Sequence, residues 1–355
     1  MASSSHTGQD GGLSIGSASG PGDRVIDRRS FLGTLTGSLL AAPLAAEAQP
    51  AAGLPRVGHL AIAGSTSSPQ PPPENWDAFL AALREGGYVE GQTVVFEHRD
   101  ARNRPELFPA AAAELVRANV SVIFARGGHA VRAAKQATNT IPIVAIDLET
   151  DPVVAHFVQS LPRPGGNVTG MFLDLSDLSG KHMELLKELV PRLSRLAVVG
   201  DPAINVSQFR ATEAAGRVLS VKVHTIEIRH SDDFAGAFRL AVRDSVGAIL
   251  VLSSPLTLAH RQQIADLAMK HRLPAMFVYR SHVDAGGLLS YGPNLPRMFH
   301  RAGAYVVRIL AGSKTAEMPV ERPAVFELVI NMKTAKALGL TIPPSLLQRA
   351  DQVIE

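Results

Sequence analysis

The sequence contains no cysteine in its 355 residues. Disulfide bonds, thiolate zinc ligands, a thiol nucleophile and a lipid anchor on cysteine are therefore excluded, and the hydrophobic core must hold the fold together unaided. An excess of charge is lacking as well, because 35 basic residues face 32 acidic ones and the net charge is +3. The basic residues are scattered rather than clustered, so neither nucleic acid nor an anionic membrane surface is expected as a partner.

The usual motifs of cofactor and metal sites are also lacking. No G-x-G-x-x-G or G-x-x-x-x-G-K-[ST] pattern occurs, which argues against a dinucleotide or triphosphate site. The histidines show no H-E-x-x-H or H-x-H spacing, so we expect no metal site. No set of residues suggests a nucleophile with its base and orienting group. The sequence therefore assigns no catalytic residue, no metal ligand and no cofactor.

The N-terminal region has the order of parts of an export signal. Two adjacent arginines, Arg28 and Arg29, precede a weakly apolar segment that ends at Leu44 and is followed by the A-x-A site Ala46-Glu47-Ala48. A paired arginine before such a segment is typical of twin-arginine export, and the segment is too short and too polar to span a bilayer. The alternative is a chance Arg-Arg pair in a disordered tail. We predict that residues 1–48 are a disordered extension and a twin-arginine signal peptide cleaved near Ala48, and that the mature protein is periplasmic.

From residue 57 onward, short apolar runs rich in β-branched residues alternate with amphipathic segments. Most runs are almost wholly apolar, as expected of strands buried on both faces. The predicted strands are 57–63, 94–98, 120–125, 143–147, 196–200, 223–228, 248–252, 275–279 and 288–291. The predicted helices are 76–85, 106–118, 131–138, 181–190, 208–219, 233–244, 260–271 and 297–310. This alternation predicts an α/β fold with parallel sheets and helices on both faces.

Two passages rich in proline or glycine, at 161–167 and 284–287, interrupt this alternation. They divide it into α/β halves of comparable length. We therefore predict two doubly wound parallel-sheet lobes joined by a hinge, with the chain crossing between lobes near both passages. The pattern alone leaves the pairing of the C-terminal segments open.

The carboxyl ends of buried parallel strands are where ligands bind in open α/β sheets, because loops and helix N-termini converge there. The residues predicted to contact a ligand at these ends are Ser65, Thr66, Gly127, Gly128, His129, Asp147, Asp151, Asp201, Asn205, Ser254 and Tyr279.

These residue types suit a small polar ligand, but several also have structural explanations. The Gly127-Gly128 pair lets backbone N–H groups approach an anion, or else forms an ordinary tight turn. Asp147 ends a buried strand, where it can receive an ammonium or a hydroxyl group. Asp151 and Asn205 can equally cap the helices that follow them, and Ser254 suits both a helix start and a donor into the cleft.

Seven segments, taken in order, resemble a known family. They are GYVEGQ at 87–92, TIPIV at 140–144, RPGGNVTG at 163–170, LLKELVP at 185–191, HRLPA at 271–275, GGLLSYG at 286–292 and NMKTAKALGL at 331–340. Together they resemble the ABC-transporter substrate-binding proteins of the tryptophan/tyrosine type, which have a type I periplasmic-binding fold. The resemblance extends over residues 56–355.

This resemblance implies two lobes that close over a small ligand, with three crossings between them. By analogy, lobe 1 is 56–163 plus 281–319, and lobe 2 is 164–280 plus 320–355. The segment 147–151 is more acidic than the family's usual version, which leaves room for a polar or cationic solute besides an amino acid. We expect a monomeric periplasmic solute receptor that delivers its ligand to an inner-membrane permease. A receptor for a signalling partner and an exported α/β enzyme are the alternatives.

Overall fold

The computed structural model of the protein describes residues 53–61, 73–101 and 104–355. The predicted extension and signal peptide, with Arg28, Arg29 and Ala48, lie outside the described residues, and so do Ser65 and Thr66. Within the described part of the chain, no helix is both long and apolar enough to cross a membrane.

The described residues alternate between strands and helices, as predicted. The strands are β1 (Arg56–Ala61), β2 (Val95–Asp100), β3 (Val122–Arg126), β4 (Ile143–Asp147), β5 (Val168–Phe172), β6 (Arg195–Gly200), β7 (Lys222–Glu227), β8 (Ala248–Val251), β9 (Ala275–Phe277), β10 (Leu289–Pro293), β11 (Phe326–Asn331) and β12 (Gln352–Ile354). The helices are α1 (Pro73–Glu85), α2 (Phe108–Arg117), α3 (Gly128–Ala137), α4 (Ser179–Leu189), α5 (Val206–Val218), α6 (Asp233–Arg243), α7 (Pro255–Ala259), α8 (Arg261–Lys270), α9 (Arg280–Asp284), α10 (Leu295–Leu310), α11 (Met332–Leu338) and α12 (Pro344–Arg349).

The first sheet has the strand order β2-β1-β3-β4-β5, with every neighbouring pair parallel. Helices α1 and α10 cover one face, and α2 and α3 cover the other. All of β4 is buried: Val144 and Ile146 belong to the core under α1 and α10, whereas Ile143 and Ala145 belong to the opposite core. Because alternate residues of a strand point to opposite faces, burial on both faces requires the continuous apolar run seen in the sequence.

The second sheet has the order β12-β11-β10-β9-β8-β6-β7. Its neighbouring pairs are parallel except β10 and β11, which are antiparallel. Helices α4, α5, α11 and α12 contribute to the core on one face, and α6 and α8 to the core on the other. The protein therefore has two predominantly parallel α/β lobes, as predicted.

The predicted lobe boundaries at Pro164 and Ser281 are wrong. Strand β5, which follows the first proline- and glycine-rich passage, pairs with β4 in the first sheet. That passage is a turn within lobe 1, where Asn167 Nδ2 donates to the carbonyls of Thr138 (3.0 Å) and Ile141 (2.9 Å). The second passage likewise stays within lobe 2, because it joins α9 to β10 and β10 pairs with β9.

The elements themselves give the corrected boundaries. Lobe 1 contains β1 to β5 and α10, and lobe 2 contains α4 to β10 and β11 to β12. The chain thus crosses after β5, between β10 and α10, and before β11. The last crossing begins later than the predicted 319/320 boundary, since the Glu321 N–H still donates to the Gly170 carbonyl of β5 (2.9 Å).

Gly170 of β5 permits close contact between β4 and β5 at the edge of the first sheet. Its φ of +129° is one that residues with a side chain rarely adopt, and a Cβ there would lie 2.2 Å from the Ala145 carbonyl oxygen of β4. Only glycine fits both the backbone conformation and the space.

Candidate functional site

The carboxyl ends of β3 and β4 in lobe 1 meet Tyr279, which follows β9 in lobe 2. Tyr279 is buried and packs in the same hydrophobic cluster as Trp76, Phe124 and Phe299 of lobe 1. The charges of Arg126, Asp147 and Glu149 all act on its hydroxyl, whose pKa is raised mainly by burial. These side chains therefore share one cleft between the lobes.

The Gly127-Gly128 pair forms the turn from β3 into α3. Gly127 has a φ of +84°, and its N–H donates to the Ile146 carbonyl at 2.8 Å, which fixes the turn against β4. A Cβ at Gly128 would lie 2.7 Å from Thr150 Oγ1 and 3.0 Å from Asp147 Oδ2. The pair therefore lets the helix N-terminus, with its free N–H groups, lie directly against the end of β4.

Asp147 is a fully buried carboxyl group at the end of β4. Its Oδ1 accepts a hydrogen bond from the Glu149 N–H at 3.0 Å, whereas Oδ2 has no hydrogen-bond partner within residues 53–61, 73–101 and 104–355. Burial raises the pKa of Asp147 to about 6, although the Glu149 N–H, the nearby Thr150 hydroxyl and the charge of Arg132 oppose the shift. An unpartnered buried carboxylate oxygen is costly, and a donor from a ligand would relieve that cost.

Glu149 adds a second acid to the cleft. The surrounding protein raises its pKa to about 7, and the charge of Asp147 acts in the same direction. Its side chain remains accessible to water in the cleft, which weakens both effects. Glu149 lies in the acidic segment 147–151 but was not among the predicted ligand-binding residues.

Arg126, the last residue of β3, is a candidate site residue that was not predicted from the sequence. Its guanidinium group lies over the Phe299 ring, 5.1 Å from the centroid, and makes no ion pair or hydrogen bond with any of the described residues. Burial lowers its pKa to about 10, so it stays charged at neutral pH. A basic residue that ends an apolar strand immediately before two glycines is the signal that points to this position.

Other predicted residues of lobe 2 hold its loops together. Asn205 is completely buried: its Oδ1 accepts from the Asp201 N–H and its Nδ2 donates to the Ser253 carbonyl, both at 2.8 Å. The carboxylate of Asp201 in turn accepts from the Ala203 N–H at 2.9 Å. Ser254 caps α7, since its hydroxyl accepts from the N–H of the third helical residue at 3.1 Å. These hydrogen bonds hold the loops after β6 and β8 together.

Arg126, Asp147 and Glu149 form the charged cluster, and two predicted residues of lobe 1 lie apart from it. Asp151 accepts hydrogen bonds from the N–H groups of Val153 (2.8 Å) and Val154 (3.0 Å), so it caps a turn as its structural alternative suggested. The segment it caps is a turn rather than the expected helix. His129 is exposed, and its ring stacks on Phe108 at a centroid distance of 6.5 Å.

The cleft thus combines a cation that has no ion pair among the described residues, two acids and a glycine-bounded helix N-terminus in lobe 1 with a buried tyrosine from lobe 2. No group of three histidines or acids suited to hold a metal ion occurs in the described ranges. The arrangement can bind a small molecule that carries both a negative and a positive group.

Comparison with known proteins identifies the family. The sequence profile of the family described as ABC transporter substrate binding protein matches residues 73–354. The chain belongs to this ABC transporter substrate-binding protein family. Its members are solute-binding proteins rather than enzymes and work outside the cytoplasm, so the alternative of an exported enzyme is contradicted.

Individual relatives agree with this membership. A tyrosine-binding protein of Clostridioides difficile (strain R20291) is 27% identical over 265 residues, which cover 74% of this chain and 75% of that protein. The crystal structure of a conserved domain protein from Vibrio cholerae is 27% identical, with a TM-score of 0.75 over 84% of this chain and 99% of that one. An ABC domain from Streptococcus pneumonia in complex with L-Trp is 23% identical, with a TM-score of 0.72 over 85% and 100% of the chains. The comparison with the L-Trp complex concerns the fold alone. Together, the comparisons confirm the family and the two-lobe architecture predicted from the sequence.

Proposed function

We propose that this protein is the solute-binding component of an ABC importer and captures an amino-acid-like ligand between its two lobes. The observation that carries the proposal is the placement of the Arg126 cation and the Asp147 and Glu149 acids around Tyr279 of the opposite lobe. A free α-amino acid carries one carboxylate and one ammonium group, which match these charges. The tyrosine and L-Trp named for two relatives support the same ligand class.

In the proposed complex, Arg126 donates two parallel hydrogen bonds to the ligand carboxylate, because a guanidinium group matches a carboxylate in shape. The free N–H groups at the start of α3 add donors to the same anion. Asp147 Oδ2, which has no partner in the described part of the chain, accepts a hydrogen bond from the ligand ammonium, and Glu149 contributes a second negative charge. A micromolar site needs about 8 kcal/mol, and a few charge-assisted hydrogen bonds of about 1.5–3 kcal/mol each can supply most of it.

Lobe closure is the proposed mechanism of capture and release. Tyr279 belongs to lobe 2, whereas the charged groups belong to lobe 1, so a ligand held by both contacts the two lobes at once. A ligand shifts an equilibrium between open and closed forms only by its difference in affinity for them. Contacts with Tyr279 that form only on closure would provide that difference, and the three crossing segments would act as the hinge.

Delivery to a permease completes the proposal. The paired Arg28 and Arg29 before an apolar segment support export to the periplasm by the twin-arginine route, with cleavage near Ala48. The balanced, scattered charge supports a partner other than nucleic acid. The protein would act as a monomer that binds a small-molecule ligand, needs no cofactor and presents its ligand to the inner-membrane permease.

Calorimetric titration of the mature protein with L-tyrosine, L-tryptophan and L-leucine tests this proposal. We expect at least one of them to bind with micromolar affinity and Arg126→Gln to weaken that binding by about 10- to 100-fold, the loss of charge-assisted hydrogen bonds. Arg217→Gln removes an exposed guanidinium group on α5 and is the matched control. Failure of all three amino acids to bind, or equal affinity in Arg126→Gln, would contradict the proposal.

A further inference from the structure

A separate cavity of about 630 Å³ adjoins Tyr279 and lies outside the charged cluster. Its walls come from the start of α1 in lobe 1, from α7 to α9 in lobe 2, and from the crossing segment that includes Pro293, Asn294 and Leu295. Cavities of about 300–1,000 Å³ are typical of small-molecule sites. Because both lobes contribute to the walls, an occupant would contact both.

Two residues of these walls each carry a buried polar atom that has no hydrogen-bond partner among the residues the structure describes. One is Oδ1 of Asn75, a residue only 3% exposed, and the other is Oγ of Ser281. A buried polar atom left without a partner costs about 1–3 kcal/mol. Asn75 lies on α1 and Ser281 on α9, so one such atom comes from each lobe.

Most other polar groups of the walls are already used within the protein. Arg280 Nε pairs with Asp284 Oδ2 at 3.2 Å, and Gln262 Nε2 donates to the Ala285 carbonyl at 3.0 Å. Three further hydrogen bonds involve wall groups: Asn294 Nδ2 to Glu327 Oε2 (2.9 Å), Arg261 Nη1 to the Leu258 carbonyl (3.2 Å) and Gln262 Nε2 to Asp266 Oδ1 (3.0 Å). Four charged residues of the walls are exposed to solvent, so the buried part of the walls favours a neutral group; they are Glu74, Arg261, Arg280 and Asp284.

The lining also has an apolar part, with Leu258, Pro293 and Leu295 near Tyr279. An apolar group that bears a hydroxyl fits these surroundings, because its body contacts the apolar wall and its hydroxyl reaches Asn75 or Ser281. A hydroxyl can donate to the amide oxygen of Asn75 or accept from its nitrogen, so it suits either orientation of that amide.

We propose that this cavity is a subsite that recognises a hydroxyl on the apolar distal part of the ligand, through Asn75 and Ser281. The inference rests on the proposed function, because Tyr279 lies both beside the charged cluster and in the wall of the cavity. Arg126 and the acids hold the amino-acid end, and the cavity selects the other end. A site with an unpartnered buried acceptor discriminates strongly against a ligand that lacks the matching donor.

Paired ligands that differ by one hydroxyl test the subsite. In calorimetric titrations, L-tyrosine should bind the unmodified protein at least about tenfold more tightly than L-phenylalanine. Asn75→Ala should reduce this ratio to about threefold or less while the affinity for L-phenylalanine changes little, and Ser281→Ala should reduce it as well. Gln262→Ala is the control, because this amide lines the same cavity but already has protein partners. A ratio near one in the unmodified protein, or a ratio unchanged in both Asn75→Ala and Ser281→Ala, overturns the subsite.

A second measurement separates failure of the subsite from failure of the proposed function. Phenol and toluene differ by the same hydroxyl but lack the amino-acid groups. In an NMR titration of the ¹⁵N-labelled protein, phenol should shift the side-chain amide signal of Asn75, identified by its loss in Asn75→Ala, and toluene should not. If phenol gives this shift although no amino acid binds, the ligand class is refuted and the subsite stands. If phenol and toluene act alike, the subsite is refuted.

Discussion

Replacement of Asp147 by asparagine should make the empty protein more stable at neutral pH and a weaker receptor. Asparagine keeps the oxygen that accepts the hydrogen bond from the Glu149 N–H (3.0 Å) and removes the charge. The side chain is completely buried, and none of the described residues hydrogen-bonds to Oδ2. Without a ligand, the charge at this position is therefore a cost rather than a contribution to the fold.

The size and sign of this effect follow from the pKa of Asp147, which burial raises from an ordinary 3.8 to about 6. A rise of this size corresponds to about 3 kcal/mol. The folded state holds the proton of Asp147 more tightly than the unfolded chain, so protonation of Asp147 stabilises the fold. This stabilisation is fully present below about pH 4 and is lost as the pH rises through 6. Asparagine does not ionise, but its amide nitrogen carries two N–H donors. The Thr150 hydroxyl can accept a hydrogen bond from only one of them. We expect Asp147→Asn to be more stable by about 1–3 kcal/mol at pH 8 and to show no such gain at pH 4.

Urea denaturation of the ligand-free protein at pH 4 and pH 8 measures the difference. Asp233→Asn is a control of opposite sign, since hydrogen bonds from the N–H groups of Arg229 and His230 lower the pKa of Asp233. The stability that Asp233 provides is present at neutral pH and lost on acidification, so its replacement should destabilise the protein at pH 8. A decrease in stability of Asp147→Asn at pH 8, or the same change at both pH values, would refute the reasoning.

Glycine replacements provide the remaining predictions. Gly170→Ala should destabilise the protein by about 3 kcal/mol or more in urea denaturation, because its φ is +129° and the new Cβ would lie 2.2 Å from a carbonyl oxygen. Gly180→Ala, with open space around the new Cβ in α4, should instead stabilise it by about 0.5–1 kcal/mol, and equal effects of the two would contradict the packing described. Gly128→Val should weaken amino-acid binding about tenfold in calorimetry with a much smaller change in stability, because the nearest atoms are side-chain ends of Thr150 and Asp147 that can move aside; unchanged affinity would remove Gly128 from the site.

The strands buried on both faces were the most predictable part of the fold. The predicted strand 143–147 has the same bounds as β4, because burial on both faces gives an apolar run at 143–146 that ends sharply at Asp147. Strands β11 and β12 were not predicted. β12 has three half-buried residues and hence no clear apolar run, and β11 owes its place to antiparallel pairing with β10, a contact between distant parts of the chain.

The lobe boundaries show what local pattern cannot provide. A passage rich in proline and glycine marks a change of direction, and it looks the same whether the chain returns to the same sheet or crosses to another. At 161–167 the chain returns, because the buried strand β5 completes the edge of the first sheet. Only the hydrogen-bond partners of the next strand distinguish the two outcomes.

The candidate site was predictable in part. Gly127, Gly128 and Asp147 could be placed because strand ends converge at one edge of a parallel sheet. Asn205 was also located at a strand end, but its amide is saturated by backbone groups of two loops, which the sequence does not reveal. Arg126 was missed because charge counts alone do not show that this guanidinium group forms no ion pair with the described residues.

In the proposed mechanism, the unpaired charges of the cleft couple ligand binding to closure. Arg126 has no ion pair with the described residues, and the charge of Asp147 raises the pKa of Glu149. A zwitterionic ligand supplies the missing partner to each of them, so its binding free energy includes the relief of costs already present in the protein. Because water in an open cleft screens these charges, the relief is greatest when the lobes close and exclude it. A ligand with only one of the two charged groups would leave the other cost in place and favour closure less.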